Sequence, residues 1–242
     1  MSATPPRISY VLPVHNQEGV IATSVERLLA RLRGVPGSEV ILVENGSTDS
    51  SPALCARLAG SSAEGGVAVR VAHSDTGMGN ALRRGIAIAT GDIVVLSAAD
   101  LPFGFTDLDA LLATDPRPRL AIGSKAHRRS RTRIPALRRT MSEAFRLLRF
   151  AVLGLRVRDS QGTILIDAQL AREIAPHLRC GDFLISTEII AWGARLGATP
   201  VELPITYIAT PGSTVSPLGD SLRMARGLFA LRHRLQSPGA SL

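Results

Sequence analysis

Four short runs of β-branched and aliphatic residues, 8–14 (ISYVLPV), 40–43 (VILV), 67–71 (VAVRV) and 93–96 (IVVL), alternate with stretches of helical periodicity. Runs this apolar read as strands covered on both faces, and strands separated by helices return in the same direction by crossing over. Helices are expected over 18–33, 50–59 and 80–89, the second opened by Ser47, Thr48 or Asp49, with Pro52 tolerated near its start. The alternation predicts a parallel, doubly wound α/β sheet.

Ligands of such sheets bind outside the carboxyl ends of the strands, so chemistry is sought just after each apolar run. Those ends read His15-Asn16-Gln17-Glu18, Glu44-Asn45-Gly46-Ser47, His73-Ser74-Asp75 and Ser97-Ala98-Ala99-Asp100. All four are polar where a bare turn would serve, which points to a polar crevice. A hydride-transferring dinucleotide enzyme would carry G-x-G-x-x-G after its first strand; here that turn is Pro13-Val14-His15-Asn16-Gln17, which argues against that class. Gly77-Met78-Gly79 instead precedes the third helix, whose N-terminus is expected to favour an anion.

At 242 residues and 45% hydrophobic, the chain can bury one sizeable core, which excludes a disordered tail or a disulfide-stapled mini-domain. Cys55 and Cys180 match no metal-ligand spacing, so a reduced, cytoplasmic setting is expected and structural zinc is not. No window of eighteen uncharged apolar residues occurs and the first seven residues do not resemble a signal peptide, so no membrane span is expected.

The formal charge of +8 is concentrated, because residues 117–158 hold thirteen Lys+Arg against Glu143 alone. A basic block on a mildly acidic body suggests a face that meets one anionic surface or ligand, with a solvated arginine face as the plain alternative. A helix is expected over 136–155, with Leu137, Met141, Ala144, Phe145, Leu148, Val152 and Leu155 on one side and Arg138, Arg139, Arg146 and Arg149 on the other. Such a helix either lies in a bilayer interface or packs on the sheet with its arginines in water. Nucleic acid is not an expected partner, since only Phe145 and Phe150 interleave as aromatics and no recognition motif occurs.

Read together, LPVHNQEG, VENGSTDS, GMGNALRRGIAIATGD and VVLSAADL resemble the nucleotide-sugar domain of family 2 glycosyltransferases. IGSKAH at 122–127, RDSQG at 158–162, TEII at 187–190, VELPITY at 201–207 and GSTVSPLGDSLRM at 212–224 resemble its dolichyl-phosphate glucosyltransferase and polyprenyl-phosphate glycosyltransferase branch. The resemblance runs from residue 8 to 234. It implies a GT-A type, doubly wound, mixed but mainly parallel sheet in a single domain over 1–242: a nucleotide-sugar half (8–115), an acceptor half (116–210) and a C-terminal helical segment (211–242). It also implies inverting transfer of a hexose, glucose foremost, from a UDP- or GDP-sugar to polyprenyl phosphate, at the cytoplasmic face of a membrane. A soluble acceptor, and a degenerate sugar-nucleotide-binding protein, remain alternatives.

By the same resemblance, Pro13, His15, Gln17, Glu44, Asn45, Asp75 and the Ala98-Ala99-Asp100 turn would bind the donor. Asp100 would hold Mg²⁺ or Mn²⁺ against the donor diphosphate. The family carries acids at both Ala98 and Asp100 and an amide where this chain has Pro102. Lys125, the only lysine in the chain, stands at the family's phosphate-facing arginine. Arg138 and Ser142, four apart on one helix face, and Asp159 with Gln161 would receive the acceptor phosphate, and Glu188 would lie near the sugar. Asp100, Lys125 and Glu188 are the residues expected to act in catalysis. Thr214 and Ile208 depart from cationic positions of the family, so some phosphate contact would be lost or rerouted through Arg128 to Arg133. An acceptor phosphate is already anionic at neutral pH, so no general base is required.

Overall fold

The structure is a computed structural model that describes residues 5–60, 62–63, 66–132, 136–207 and 217–236. Among the described residues eight strands form one sheet: β1 (Ile8–Val14), β2 (Glu39–Glu44), β3 (Ser62–Ala63), β4 (Val67–His73), β5 (Ile93–Leu96), β6 (Leu120–Ser124), β7 (Ile164–Asp167) and β8 (Val201–Pro204). Their order is β3-β4-β2-β1-β5-β7-β6-β8. The pairs β4·β2, β2·β1, β1·β5 and β6·β8 are parallel, whereas β7 runs against both neighbours and β3 against β4.

The helices are α1 (Ile21–Leu32), α2 (Ser51–Leu58), α3 (Met78–Ile88), α4 (Thr106–Leu112), α5 (Ala136–Leu153), α6 (Ala168–Ile174), α7 (Ile185–Arg195) and α8 (Pro217–Gln236). In β2, Ile41 and Val43 enter one core cluster while Val40 and Leu42 enter the other. Burial on both faces is why that strand is an unbroken apolar run and does not alternate. α1 buries Ile21, Val25, Leu28 and Leu32, spaced at three and four residues, against the same side as α2 and α4. α3, α6 and α7 cover the opposite face. α3 comes close enough to β1 that a side chain at Gly85 would collide with Val11.

The reversed strand decides what meets at the crevice. Because β7 is antiparallel, Ile164 pairs with Leu96 and Ile122, so its entry segment 161–163 lies beside the exits of β5 and β6. Residues after β5, after β6 and before β7 therefore share one edge.

α5 corrects one expectation. Arg149 does not face water: it is 1% exposed, while Leu147 and Phe150 are 58% and 48% exposed. Arg149 falls four residues after Phe145 and three before Val152, within the stripe that packs inward. Its Nη1 donates to Ser160 Oγ (2.7 Å) and its Nη2 to the Val157 carbonyl. Burial lowers the pKa of this guanidinium, opposed by the negative field of Asp159 and Glu202.

Candidate active site

The exits of β1, β2 and β4 are knitted together. The Asn45 amide donates to the Val14 carbonyl (3.0 Å) and accepts from the Gly77 N–H (3.3 Å). Asn45 is buried, so it joins three loops and leaves only its backbone near the surface, where its carbonyl lies 3.2 Å from His15 Nδ1. Glu44 Oε1 accepts from the Ser47 N–H (2.6 Å), and its Oε2 lies 3.5 Å from His73 Nδ1. Burial raises the Glu44 carboxyl, but hydrogen bonds from Ser47, Gly46 and His73 outweigh it and hold the group below the ordinary carboxylate range.

Gln17 donates its amide to the His15 carbonyl (3.0 Å) and its backbone N–H to Ser51 Oγ (2.7 Å). Asn16, at φ 54°, accepts from the Thr48 N–H (2.8 Å), and Glu18 accepts from the Ser50 N–H (2.9 Å). His15 is exposed, whereas Pro13 is half-buried within β1 opposite Val43. Asp75 is exposed after β4, on an open groove with His73, Arg83 and Arg84.

The β5 exit differs. The Leu101 N–H donates to the Ala98 carbonyl (3.1 Å) and Leu101 takes φ 48°, so the chain turns sharply. The turn sends Ala99 and Leu101 into the core and leaves Asp100 half-buried. Ala99, expected among the donor contacts, is thus corrected to a packing residue. Among the described residues no hydrogen bond or ion pair engages the Asp100 carboxylate. A cavity of about 70 Å³ opens on the same loop, lined by Ala98, Pro102, Phe103, Met78, Gln161 and Thr163 among others.

Lys125 faces that loop. Its Nζ donates to the Gln161 carbonyl (3.0 Å), pairs with Asp159 Oδ2 (3.2 Å) and lies 5.4 Å from the Phe103 ring centroid. Asp159 accepts as well from the backbone N–H groups of Lys125 (3.0 Å) and Gln161 (2.9 Å). Asp159 therefore sets the lysine in place, and Glu202, which sequence reasoning missed, sets Asp159. Glu202 Oε1 accepts from Ser124 Oγ (2.6 Å) and the Asp159 N–H (3.2 Å). Its position directly across from Ile122 in the β6·β8 ladder had no signal without the strand pairing. Phe103 was also missed, although it lies three residues beyond Asp100.

Two further expectations meet the structure differently. Glu188, expected near the sugar, is fully buried: Oε2 accepts from the N–H groups of Arg179 (2.9 Å) and Cys180 (2.8 Å), and Oε1 from Arg234 of α8. This corrects it to a residue that holds a loop. The N-terminus of α3 is likewise not open to an anion, because the N–H groups of Gly79 (2.9 Å) and Asn80 (3.4 Å) donate to the Gly181 carbonyl. Ser142 is exposed on α5, while the side chain of Arg138 and residues 133, 208 and 214 lie outside the described set. Arg128, Arg129 and Arg131 are exposed beyond Lys125.

No helix among the described residues is long and apolar enough to cross a membrane. Nor do those residues gather three His, Cys, Asp or Glu side chains that could hold a metal.

A family model described as Glycosyl transferase family 2 matches residues 9–173. The chain is similar to the dolichyl-phosphate beta-glucosyltransferase of Saccharomyces cerevisiae (strain ATCC 204508 / S288c), 26% identical over an alignment covering 93% of this chain and 74% of the relative. A shorter stretch, 39% of this chain and 29% of the relative, is 36% identical to the undecaprenyl-phosphate 4-deoxy-4-formamido-L-arabinose transferase of Pectobacterium carotovorum subsp. carotovorum (strain PC1). Among solved structures, glucosyl-3-phosphoglycerate synthase from Mycobacterium tuberculosis in complex with uridine-diphosphate superposes with a TM-score of 0.67 at 22% identity, covering 96% of this chain and 81% of that one. The same synthase is also known with Mn²⁺, uridine-diphosphate and glucosyl-3-phosphoglycerate bound. That likeness concerns the fold, which is the GT-A type. With a family model spanning most of its length and the strand-end crevice that such a fold presents, the chain belongs to glycosyl transferase family 2 and is a glycosyltransferase.

Proposed function

We propose that this glycosyltransferase moves a hexose, glucose foremost, from a nucleotide diphosphate sugar to polyprenyl phosphate with inversion at the anomeric carbon. The observation that carries the reading is the β5 exit loop, where an unengaged carboxylate at Asp100 stands between Ala98 and Pro102 of the cavity wall and the Lys125 cation lies 5.4 Å from the ring of Phe103, which lines the same cavity. A diphosphate leaving group needs charge stabilisation on one side of the reacting carbon, and an anionic acceptor needs a cation to seat it on the other. Two relatives act, by their names, on dolichyl and undecaprenyl phosphates, which supports a lipid phosphate acceptor.

Pro13, His15, Gln17 and Glu44 would border the nucleotide, with Asn45 shaping their loops from below and Asp75 at the outer rim. Ala98 opens room beside the sugar. Lys125, Asp159 and Gln161, together with Arg138 and Ser142 of α5, would receive the acceptor phosphate. An acceptor oxygen attacks the anomeric carbon, a carbon–oxygen bond forms there, and the bond to the donor diphosphate breaks and releases the nucleoside diphosphate. The acceptor oxygen carries no proton to remove, so Glu188 is not needed as a base.

A divalent cation fits the site through Asp100, whose oxygens are free, since Mg²⁺ is commonly held by one or two carboxylates with the substrate's phosphates. When bound, Mg²⁺ or Mn²⁺ would neutralise charge on the departing diphosphate.

Peripheral attachment at the cytoplasmic face accords with Leu147 and Phe150 exposed on α5, Phe229 exposed on α8, and the arginines beyond Lys125. Each cation near anionic lipid adds about 1 kcal/mol. Incubating the protein with labelled UDP- and GDP-hexoses, a short polyprenyl phosphate and Mg²⁺ tests the reading, with formation of lipid-linked hexose expected. Transfer only to a soluble phosphate such as phosphoglyceric acid would overturn the lipid acceptor.

A further inference from the structure

We infer that Arg234 of α8 is a positioning residue for the donor pocket, acting through Glu188 and the 179–181 loop on the Gly77–Gly79 turn. The inference rests on the reading that this pocket takes a nucleotide sugar.

The connection is continuous. Arg234 Nη1 donates to Glu188 Oε1, and its Nη2 donates to Cys180 Sγ (3.4 Å). Glu188 passes the hold to the Arg179 and Cys180 N–H groups through its other oxygen. The next carbonyl, that of Gly181, accepts from the first amides of α3 at Gly79 and Asn80. A side chain at Gly79 would collide with the Cys180 carbonyl and lie 2.6 Å from the Gly181 carbonyl carbon. Two backbones are thus in direct contact, and one cannot shift without the other.

At its far side the turn donates its Gly77 N–H to Asn45, and Met78 lines the cavity beside Ala98. α8 therefore reaches the floor of the donor pocket through a continuous chain of side-chain and backbone hydrogen bonds.

Arg234 is also the only cation that pairs with Glu188 among the described residues. A fully buried carboxylate stripped of its counter-charge either takes up a proton or moves towards water. Either response slackens its grip on the two loop amides. Burial, then the charge of Glu188, push the Cys180 thiol up to about 12, so the sulfur offers no competing charge.

The test compares wild type, Arg234→Met, Arg234→Lys and Glu188→Gln by two readouts. The first is hydrogen exchange at the Gly79 and Asn80 amides, which needs no ligand. The second is donor KM and kcat for hexose transfer. Faster exchange at those two amides is expected in Arg234→Met, with exchange in β4 unchanged and donor KM raised about fivefold at near wild-type kcat. Arg234→Lys should recover part of both, and Glu188→Gln should reproduce both should Arg234→Met fail to fold. A variant with lowered melting temperature but unchanged amide exchange and unchanged donor KM overturns the inference and leaves only a packing role. If wild type transfers no hexose, the functional reading falls, while amide exchange still decides whether α8 holds the turn.

Discussion

The β1–β2 corner and the β5–β7 corner sit on the same edge of one sheet and are bonded in opposite ways. At the first, Asn16, Gln17, Glu18, Glu44, Asn45, Ser47 and Asp49 spend their side chains on the backbones of residues 14–18 and 47–50. At the second, Asp100 has no partner among the described residues and Lys125 is held by one carboxylate and one carbonyl. A corner whose polar groups are mutually satisfied gives shape and rigidity; a corner with an unspent charge keeps it for a ligand. The contrast separates residues that build the pocket from those that meet the reacting groups.

Asp100→Asn cuts deepest into that contrast. Loss of the free carboxylate should lower kcat for transfer by about 1,000-fold with little change in melting temperature, a magnitude typical of groups aimed at developing charge. Full activity in that variant would mean the unspent charge is incidental.

Gly79→Ala attacks the seam between the corners. Its methyl would be forced onto the backbone of Cys180 and Gly181, so destabilisation of about 3 kcal/mol by urea denaturation is expected. A neutral result would show the seam to be compliant.

Glu39, at the opposite end of β2, provides a control with no ligand role. It is buried and accepts from Ser9 Oγ (2.6 Å), from the Thr90 N–H (2.7 Å) and from Arg70 (2.6 Å). Glu39→Gln should cost about 2 kcal/mol of stability. Burial raises this carboxyl, but hydrogen bonds from Ser9, Arg70 and Thr90 outweigh it, so its folded pKa lies below the ordinary value of a free glutamate. The stabilisation is therefore fully present above that value and is lost as pH falls through the folded pKa. Unfolding measured from pH 6 downward should show a shallower acid slope in the variant; equal slopes would remove Glu39 as the cause.

The smallest effect is expected from Lys125→Met. Asp159 keeps its backbone donors, so the loop survives, and transfer should fall about tenfold, mainly through acceptor KM. A change in donor KM alone would move Lys125 to the other side of the reaction.

Most of this framework is legible along the chain. The four apolar runs became β1, β2, β4 and β5, and the polar residues after them stand at the carboxyl ends of those strands. Asp100 could be singled out because a lone acid follows a buried strand. Arg149 could have been, since its spacing to Phe145 and Val152 places it inside the packed stripe, but its charge argued for water. Glu202 and Arg234 could not, because each acts on residues 43 and 46 positions away through a strand pairing and a helix docking.

The local pattern of apolar and polar residues thus determined the strands, the helices and the edge on which chemistry lies, since side-chain burial on a pleat or a helix is a property of neighbours along the chain. Tertiary structure alone decided that β7 runs backward, bringing Gln161 beside Ala98, and that Glu188 turns from the crevice to a loop. Hydrogen bonds between distant segments are set by how sheets and helices pack, and no run of adjacent residues encodes them.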